Sequence, residues 1–126
     1  MYYNKDTEYY YLFVNFGECC EGIESTYNIR VGRSKSVTGP FKGYWGRKML
    51  NRGGMTLIPA KQKTNKRIVG PGHAGIITLT TDEDSQDYFS FHFYDKENDG
   101  IGTLGVYELS WKKGWPVVNL DKPLVY

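Results

Sequence analysis

The 126-residue sequence predicts an all-β fold made of two similar four-stranded antiparallel sheets, each of the kind that forms one blade of a propeller. Three observations carry this. Tyr at 11 and Gly at 15 are the unusual counts, a composition suited to pleated sheets joined by tight turns. Apolar residues recur with a period of two, and 3.6-residue spacing is never sustained beyond two helical turns. Landmarks in the first half return in the same order in the second. Tyr10-Tyr11-Leu12-Phe13 matches Tyr88-Phe89-Ser90-Phe91 at an offset of 78, and Thr26-Tyr27-Asn28-Ile29 matches Thr103-Leu104-Gly105-Val106 at 77. Gly39-Pro40 roughly matches Gly114-Trp115-Pro116 near 76. A near-constant period of this size is a propeller signature. It divides one domain, residues 1–126, into blade-like units at 1–60 and 61–126.

Each element has its own signal. Glu8 to Phe16 (EYYYLFVNF) is aromatic and β-branched, with Tyr9, Tyr11 and Phe13 on one face and Tyr10, Leu12, Val14 and Phe16 on the other. Both faces are apolar, so this strand is expected to be covered on both sides. Thr26 to Arg33 alternates, with Tyr27, Ile29 and Val31 on one face; it reads as half-exposed and ends at Thr38-Gly39-Pro40. Met55 to Ile58 follows the Gly53-Gly54 pair and reads as a fourth, outer strand. After the polar stretch 61–67, Ile68-Val69 and Gly70-Pro71-Gly72-His73 lead into a strand at Ala74 to Thr80. Asp82 to Asp87 is an acidic turn, Tyr88 to Tyr94 an aromatic strand, and Asn98-Asp99-Gly100 a strong turn. Thr103 to Trp111 is a further strand, closed by Gly114-Trp115-Pro116.

Composition excludes several classes. Apolar residues at 40% and charged residues at 24% are ordinary globular usage, which argues against disorder. A net charge of +2 gives no global electrostatic case for nucleic acid, and the stretch Lys61 to Arg67 lacks interleaved aromatics, so it reads as a solvated inter-blade loop. No apolar run approaches the roughly 18 residues of a membrane span. Met1 to Asp6 has no basic-then-apolar pattern, so no export signal is encoded in this stretch, and the compartment stays unassigned. Cys19 and Cys20 are adjacent, with Cα atoms about 3.8 Å apart across a trans peptide, short of the roughly 4.4–6.8 Å that disulfides usually span. Two reduced thiols are therefore expected. No Cys/His spacing suits zinc.

Residues 9–41 resemble the fourth-blade segment of the arabinanases of glycoside hydrolase family 43. The resemblance is carried by Phe16-Gly17, Cys19-Cys20, Gly22, Ser25-Thr26-Tyr27, Val31-Gly32-Arg33-Ser34 and Thr38-Gly39-Pro40. Gly70-Pro71-Gly72-His73, Asp95 with Asn98-Asp99-Gly100, and Gly114-Trp115-Pro116 are similar to landmarks of the fifth blade. The resemblance implies a five-bladed β-propeller, of which this chain holds about the fourth and fifth blades, and hydrolysis of α-1,5-linked arabinan or arabino-oligosaccharides with inversion. Inversion needs two carboxylates roughly 6.5–9.5 Å apart, with room for a water between them. In the family the general acid stands in a Glu-Ala-Pro-like motif, with the base and a tuning carboxylate in earlier blades. None of the seven glutamates here has that context, so no catalytic residue is assigned. The chain reads as a C-terminal fragment that starts just downstream of the acid.

The resemblance also implies site residues. Cys19, Cys20 and Ser25 belong to the substrate-binding wall, and His73 to an axial ion site where calcium would be held directly or through water, although calcium prefers oxygen ligands. Glu18, Glu21 and Glu24 flank the cysteines in a loop expected to be solvated on the cleft side. His92 reads as a packed strand residue, and Trp45, Trp111 and Trp115 as core or turn packing rather than sugar platforms. Gly105 stands where the family would carry a basic residue. Two blades leave apolar flanks bare, so missing N-terminal blades or self-association is expected. The alternative reading is a carbohydrate-binding or self-associating β module without catalysis.

Overall fold

The computed structural model describes residues 1–124. Eight strands form two four-stranded antiparallel sheets, each in simple sequential order. The first sheet, blade one, contains β1 (Tyr2–Asn4), β2 (Tyr9–Phe16), β3 (Asn28–Ser34) and β4 (Met55–Ile58). The second, blade two, contains β5 (Ile68–Thr80), β6 (Ser85–Asp95), β7 (Ile101–Lys112) and β8 (Trp115–Pro123). Among the described residues helix is confined to single 3-10 turns at Gly22–Glu24 and Met49–Asn51. No helix among the described residues is long and apolar enough to cross a membrane. These are the two propeller blades that the alternation and the repeat predict.

The repeat is real for its inner landmarks. β2 corresponds to β6 and β3 to β7, which sets Tyr10–Phe13 against Tyr88–Phe91. The third landmark fails. Gly39-Pro40 lies inside the long β3–β4 connection, whereas Gly114 sits at the two-residue turn of the β7–β8 hairpin, where its φ of 78° suits glycine. Two strands have no counterpart in the sequence reading. β1 is only three residues long. β8 begins at the Gly-Trp-Pro that was expected to end blade two, because Pro116 opens an edge strand, a position where a missing N–H is tolerated.

The core is the seam between the blades. Phe89, Phe91, Phe93, Tyr107 and Leu109 of blade two are buried with Ile29 and Ile58 of blade one, and Phe13 meets Phe89 at 5.3 Å between ring centroids. A second cluster joins Tyr11 and Val31 to Trp115. Gly105 is fixed by this packing, since a Cβ there would lie 2.9–3.3 Å from the rings of Tyr107, Phe93 and Phe91. A basic side chain at that position would displace the aromatic stack. One end of the seam is pinned by Gly114, whose carbonyl accepts from Tyr11 Oη at 2.6 Å and from Arg33 Nη1 at 2.7 Å. The Arg33 guanidinium lies 4.0 Å from the Tyr9 ring centroid and 4.4 Å from that of Trp115.

Two expectations about burial are corrected. β2 is not covered on both sides: Leu12, Val14 and Phe16 stay half-buried, because blade two covers only the Tyr11 face. Trp111 and Trp115 do pack into the seam, but Trp45 is 90% exposed at the tip of the β3–β4 loop.

Candidate functional site

The other end of the seam gathers the residues singled out from sequence. The β2–β3 loop, residues 17–27, leaves blade one there and folds over blade two. The Cys20 N–H donates to Tyr94 Oη at 2.8 Å, and Glu21 N–H donates to Ser25 Oγ at 3.0 Å. Ser25 has no exposed surface. It lies against Gly70, where an added Cβ would come within 2.9 Å of the Ser25 Cβ. Ser25 therefore shapes the loop from beneath.

Gly70-Pro71-Gly72 makes the matching close approach from blade two. Gly70 has φ of 59°, and a Cβ on Gly72 would stand 2.7 Å from the Tyr27 ring and 3.0 Å from His92 Cε1. The register of β5 against β6 shifts between Val69 and Gly72 and again between Gly72 and Gly75. These bulges re-aim the chain at His73, which is exposed with φ of 61°. His73 N–H donates to Asn15 Oδ1 at 3.3 Å, so the amide orientation of Asn15 is set by that bond. Asn15 Nδ2 is buried without an acceptor among the described residues.

The cysteine expectation is overturned: Cys19 and Cys20 form a vicinal disulfide. Their Cα atoms are 3.8 Å apart, as the adjacent spacing requires. The left-handed Cys20, φ 72°, turns its side chain back toward that of Cys19. The result is a compact, non-ionising apolar surface in place of two thiols. Glu18, Glu21 and Glu24 around it are all exposed, as a solvated loop predicts.

His92 is half-buried and faces this end. Its ring lies 5.8 Å from His73, 6.4 Å from Tyr27 and 6.3 Å from Tyr94. Burial, and then the neighbouring His73, hold its pKa below the ordinary imidazole value. It is thus kept neutral, able to donate or accept a hydrogen bond. Tyr27, Tyr94 and Asn15 belong to the same cluster and were missed as site residues. Gly70 and Gly72 held the signal for the two tyrosines, since paired glycines at a strand entry imply that something large passes close by.

Among the described residues no three of His, Cys, Asp and Glu cluster together. The groups around His73 are an imidazole, an amide and a phenol, whereas calcium takes 6–8 oxygens. The three glutamates of the loop are exposed. What the cluster offers is a shaped surface with a disulfide, aromatic edges, neutral imidazole and one buried amide donor. That is binding chemistry.

An extracellular exo-α-(1→5)-L-arabinofuranosidase of Cellvibrio japonicus is 42% identical over 113 residues, covering 89% of this chain and 30% of that protein. An extracellular endo-α-(1→5)-L-arabinanase of Bacillus subtilis is 40% identical over 108 residues, again covering 30% of the relative. The α-L-arabinanase of Cellvibrio cellulosa, solved in complex with arabinohexaose, superposes with a TM-score of 0.77 at 41% identity, over 90% of this chain and 34% of that one. The chain thus spans about a third of the length of the relatives it matches. The sequence profile of the glycosyl hydrolases family 43 matches residues 1–116, and the chain belongs to that family.

Proposed function

We propose that this chain supplies two adjacent blades of an arabinan-cleaving glycoside hydrolase, and that it forms one wall of the arabinan cleft without itself carrying the catalytic pair. The observation that carries the reading is the convergence of the 17–27 loop and Gly70–His73 at one end of the seam, tied by the Cys20 to Tyr94 hydrogen bond. The family and the names of the relatives supply the substrate class. Cys19–Cys20 and Tyr27 would present apolar surface to a sugar ring. Asn15 Nδ2, a donor without an acceptor, fits a sugar oxygen. Ser25 holds the loop in shape from below. His73 would reach an axial ion only through water, with oxygens from other blades, and no step is routed through that ion.

Inverting hydrolysis needs a base on the water and an acid on the leaving oxygen. Neither is built at this end, so both must come from further blades. Those blades would also cover the half-buried Leu12, Val14 and Phe16 of β2. The expected outcome is no reducing-sugar release from debranched arabinan by the purified chain, and binding of arabino-oligosaccharide that weakens in Asn15→Ala. Release clearly above control would overturn the assignment of catalysis to other blades. A second reading, self-association, has an observation in its favour: Ile77, Leu79, Ile101 and Leu104 are 44–68% exposed. Light scattering on the same sample separates the two.

A further inference from the structure

We propose that the β3–β4 loop, residues 35–54, is a docking surface for an acidic polysaccharide, a sugar chain bearing carboxylates. The inference rests on the reading that this protein works on polysaccharide, but it concerns a different surface. β3 runs from Asn28, beside the 17–27 loop, to Ser34, so its outgoing loop lies at the opposite end of the blade from Cys19–Cys20.

Charge is the first observation. No Asp or Glu stands between Glu24 and Asp82, while eleven Lys and Arg do. The near-neutral total hides this segregation. Five of those cations, Lys35, Lys42, Arg47, Lys48 and Arg52, are on the loop, and all are exposed. The ion pairs among the described residues are Arg67–Asp95 and Lys122–Glu108, so none of the five pairs with a described carboxylate. Exposed Lys112 and Lys113 extend the field, since their hairpin is tied to the base of the loop by Arg33 at the Gly114 carbonyl. The opposing acids at this end are Asp6 and Glu8, in the β1–β2 turn that Lys35 reaches through the Thr7 carbonyl, and on blade two Asp87, which accepts from the Trp111 indole, with Asp82, Glu83 and Asp84 in the β5–β6 turn.

The second observation is an ordered, uncovered indole. Trp45 sits on a tight turn closed by Gly43 N–H to the Arg47 carbonyl at 3.1 Å and Gly46 N–H to the Gly43 carbonyl at 3.0 Å. Tyr44 braces the turn. Its ring meets Trp45 edge-on at 4.8 Å and lies 6.0 Å from the buried Trp115 of blade two. The loop therefore leans on a blade that is present, and its tip still stands 90% clear of protein. Folding does not reward an exposed indole at the centre of a cationic field, whereas a sugar ring with a carboxylate would. The flat C–H face of the sugar covers the indole, and Lys or Arg meets the carboxylate. Single-stranded nucleic acid is gripped by successive stacked aromatics, and a membrane surface by a broad apolar helical face. One indole on a turn matches neither as well.

The test titrates the 126-residue chain with oligogalacturonate, following tryptophan fluorescence and heat at low and at physiological salt. Neutral arabino-oligosaccharide, phosphatidylglycerol vesicles and single-stranded DNA are run as parallel probes. Oligogalacturonate is expected to bind, more weakly as salt rises toward the roughly 8 Å screening length of physiological solution. Trp45→Ala and the pair Arg47→Glu/Lys48→Glu should each weaken it about tenfold or more. Urea midpoints should not move, because these side chains are exposed. Absent binding, or binding equal in wild type and both variants, overturns the proposal. Tighter binding to vesicles or DNA than to oligogalacturonate overturns it in favour of those partners. Arabinan binding that survives Trp45→Ala leaves the cleft reading standing whichever way the loop experiment falls.

Discussion

The two blades share a plan and differ in how completely they carry it out. Blade two has strands of 13, 11, 12 and 9 residues, whereas those of blade one are 3, 8, 7 and 4. In blade two, β7 and β8 are joined by a two-residue turn; in blade one the equivalent strands are joined by residues 35–54. Long strands give blade two an aromatic row of its own. Phe89, Phe91 and Phe93 stand in register along β6, and Tyr107 stacks on Phe91 at 5.5 Å between centroids. The counterpart row in blade one, Tyr9, Tyr11 and Phe13 on β2, is fully buried only at Tyr11. Blade one's buried residues Tyr11, Ile29 and Val31 are buried by contact with blade two. One blade supplies the core, and the other covers it and spends its surplus length on loops.

The largest expected effect tests that asymmetry. Phe89→Ala removes a fully buried ring that meets both its own row and Phe13 across the seam. The cost should be about 3–5 kcal/mol, enough to unfold a domain of ordinary stability. Val14→Ala on the half-buried face of β2 should cost about 1 kcal/mol or less. Urea unfolding of the two variants measures the difference. Equal costs would mean that blade one has a core of its own, and the comparison would break.

The seam itself comes next. Arg33 donates to Gly114 and lies between the Tyr9 and Trp115 rings, so it joins β2, β3 and the β7–β8 turn. Arg33→Ala should cost about 1–3 kcal/mol. Arg33→Lys should recover little of it, because an ammonium lacks the planar stacking face. Full rescue by lysine in the same urea assay would reduce the contact to simple charge.

Much of this was legible in the chain, and the gaps have physical causes. Alternation placed the central strands, because one buried face enforces a period of two. Met55–Ile58 was found because its flanking glycines mark its start. β8 was missed because Pro116 reads as a stop, and the proline is accommodated only at a sheet edge. Trp45 was misplaced because a large indole is usually inside, and sequence does not show which turn will hold it out. The vicinal disulfide defied the ordinary Cα spacing rule, which assumes residues far apart in the chain. Cys19, Cys20, Ser25 and His73 were singled out through a family likeness, and they come together at one end of the seam. Tyr27 and Tyr94 were signalled only indirectly, by Gly70 and Gly72, and Asn15 could emerge only when strands from different blades were seen to meet.

The smallest effect is electrostatic and confined to blade two. Arg67 Nη2 lies 2.7 Å from Asp95 Oδ2, and the Asp95 side chain is 3% exposed against 45% for Arg67. The guanidinium hydrogen bond, aided by the Glu97 N–H, holds the Asp95 carboxyl below the ordinary carboxylate range. A depressed pKa means that the unfolded chain takes up the proton first. The pair therefore contributes its full stability above the unfolded value of roughly 3.9, and loses it as pH falls through the lower folded value. Urea midpoints of wild type and Asp95→Asn should differ by a constant amount from pH 7 to about pH 5 and converge below about pH 4. Asn15→Ala, in blade one, should show no such convergence. If the Asp95→Asn gap persisted unchanged to the acid limit, the contribution of Asp95 would come from hydrogen-bond geometry rather than charge, and blade two would differ from blade one in packing alone.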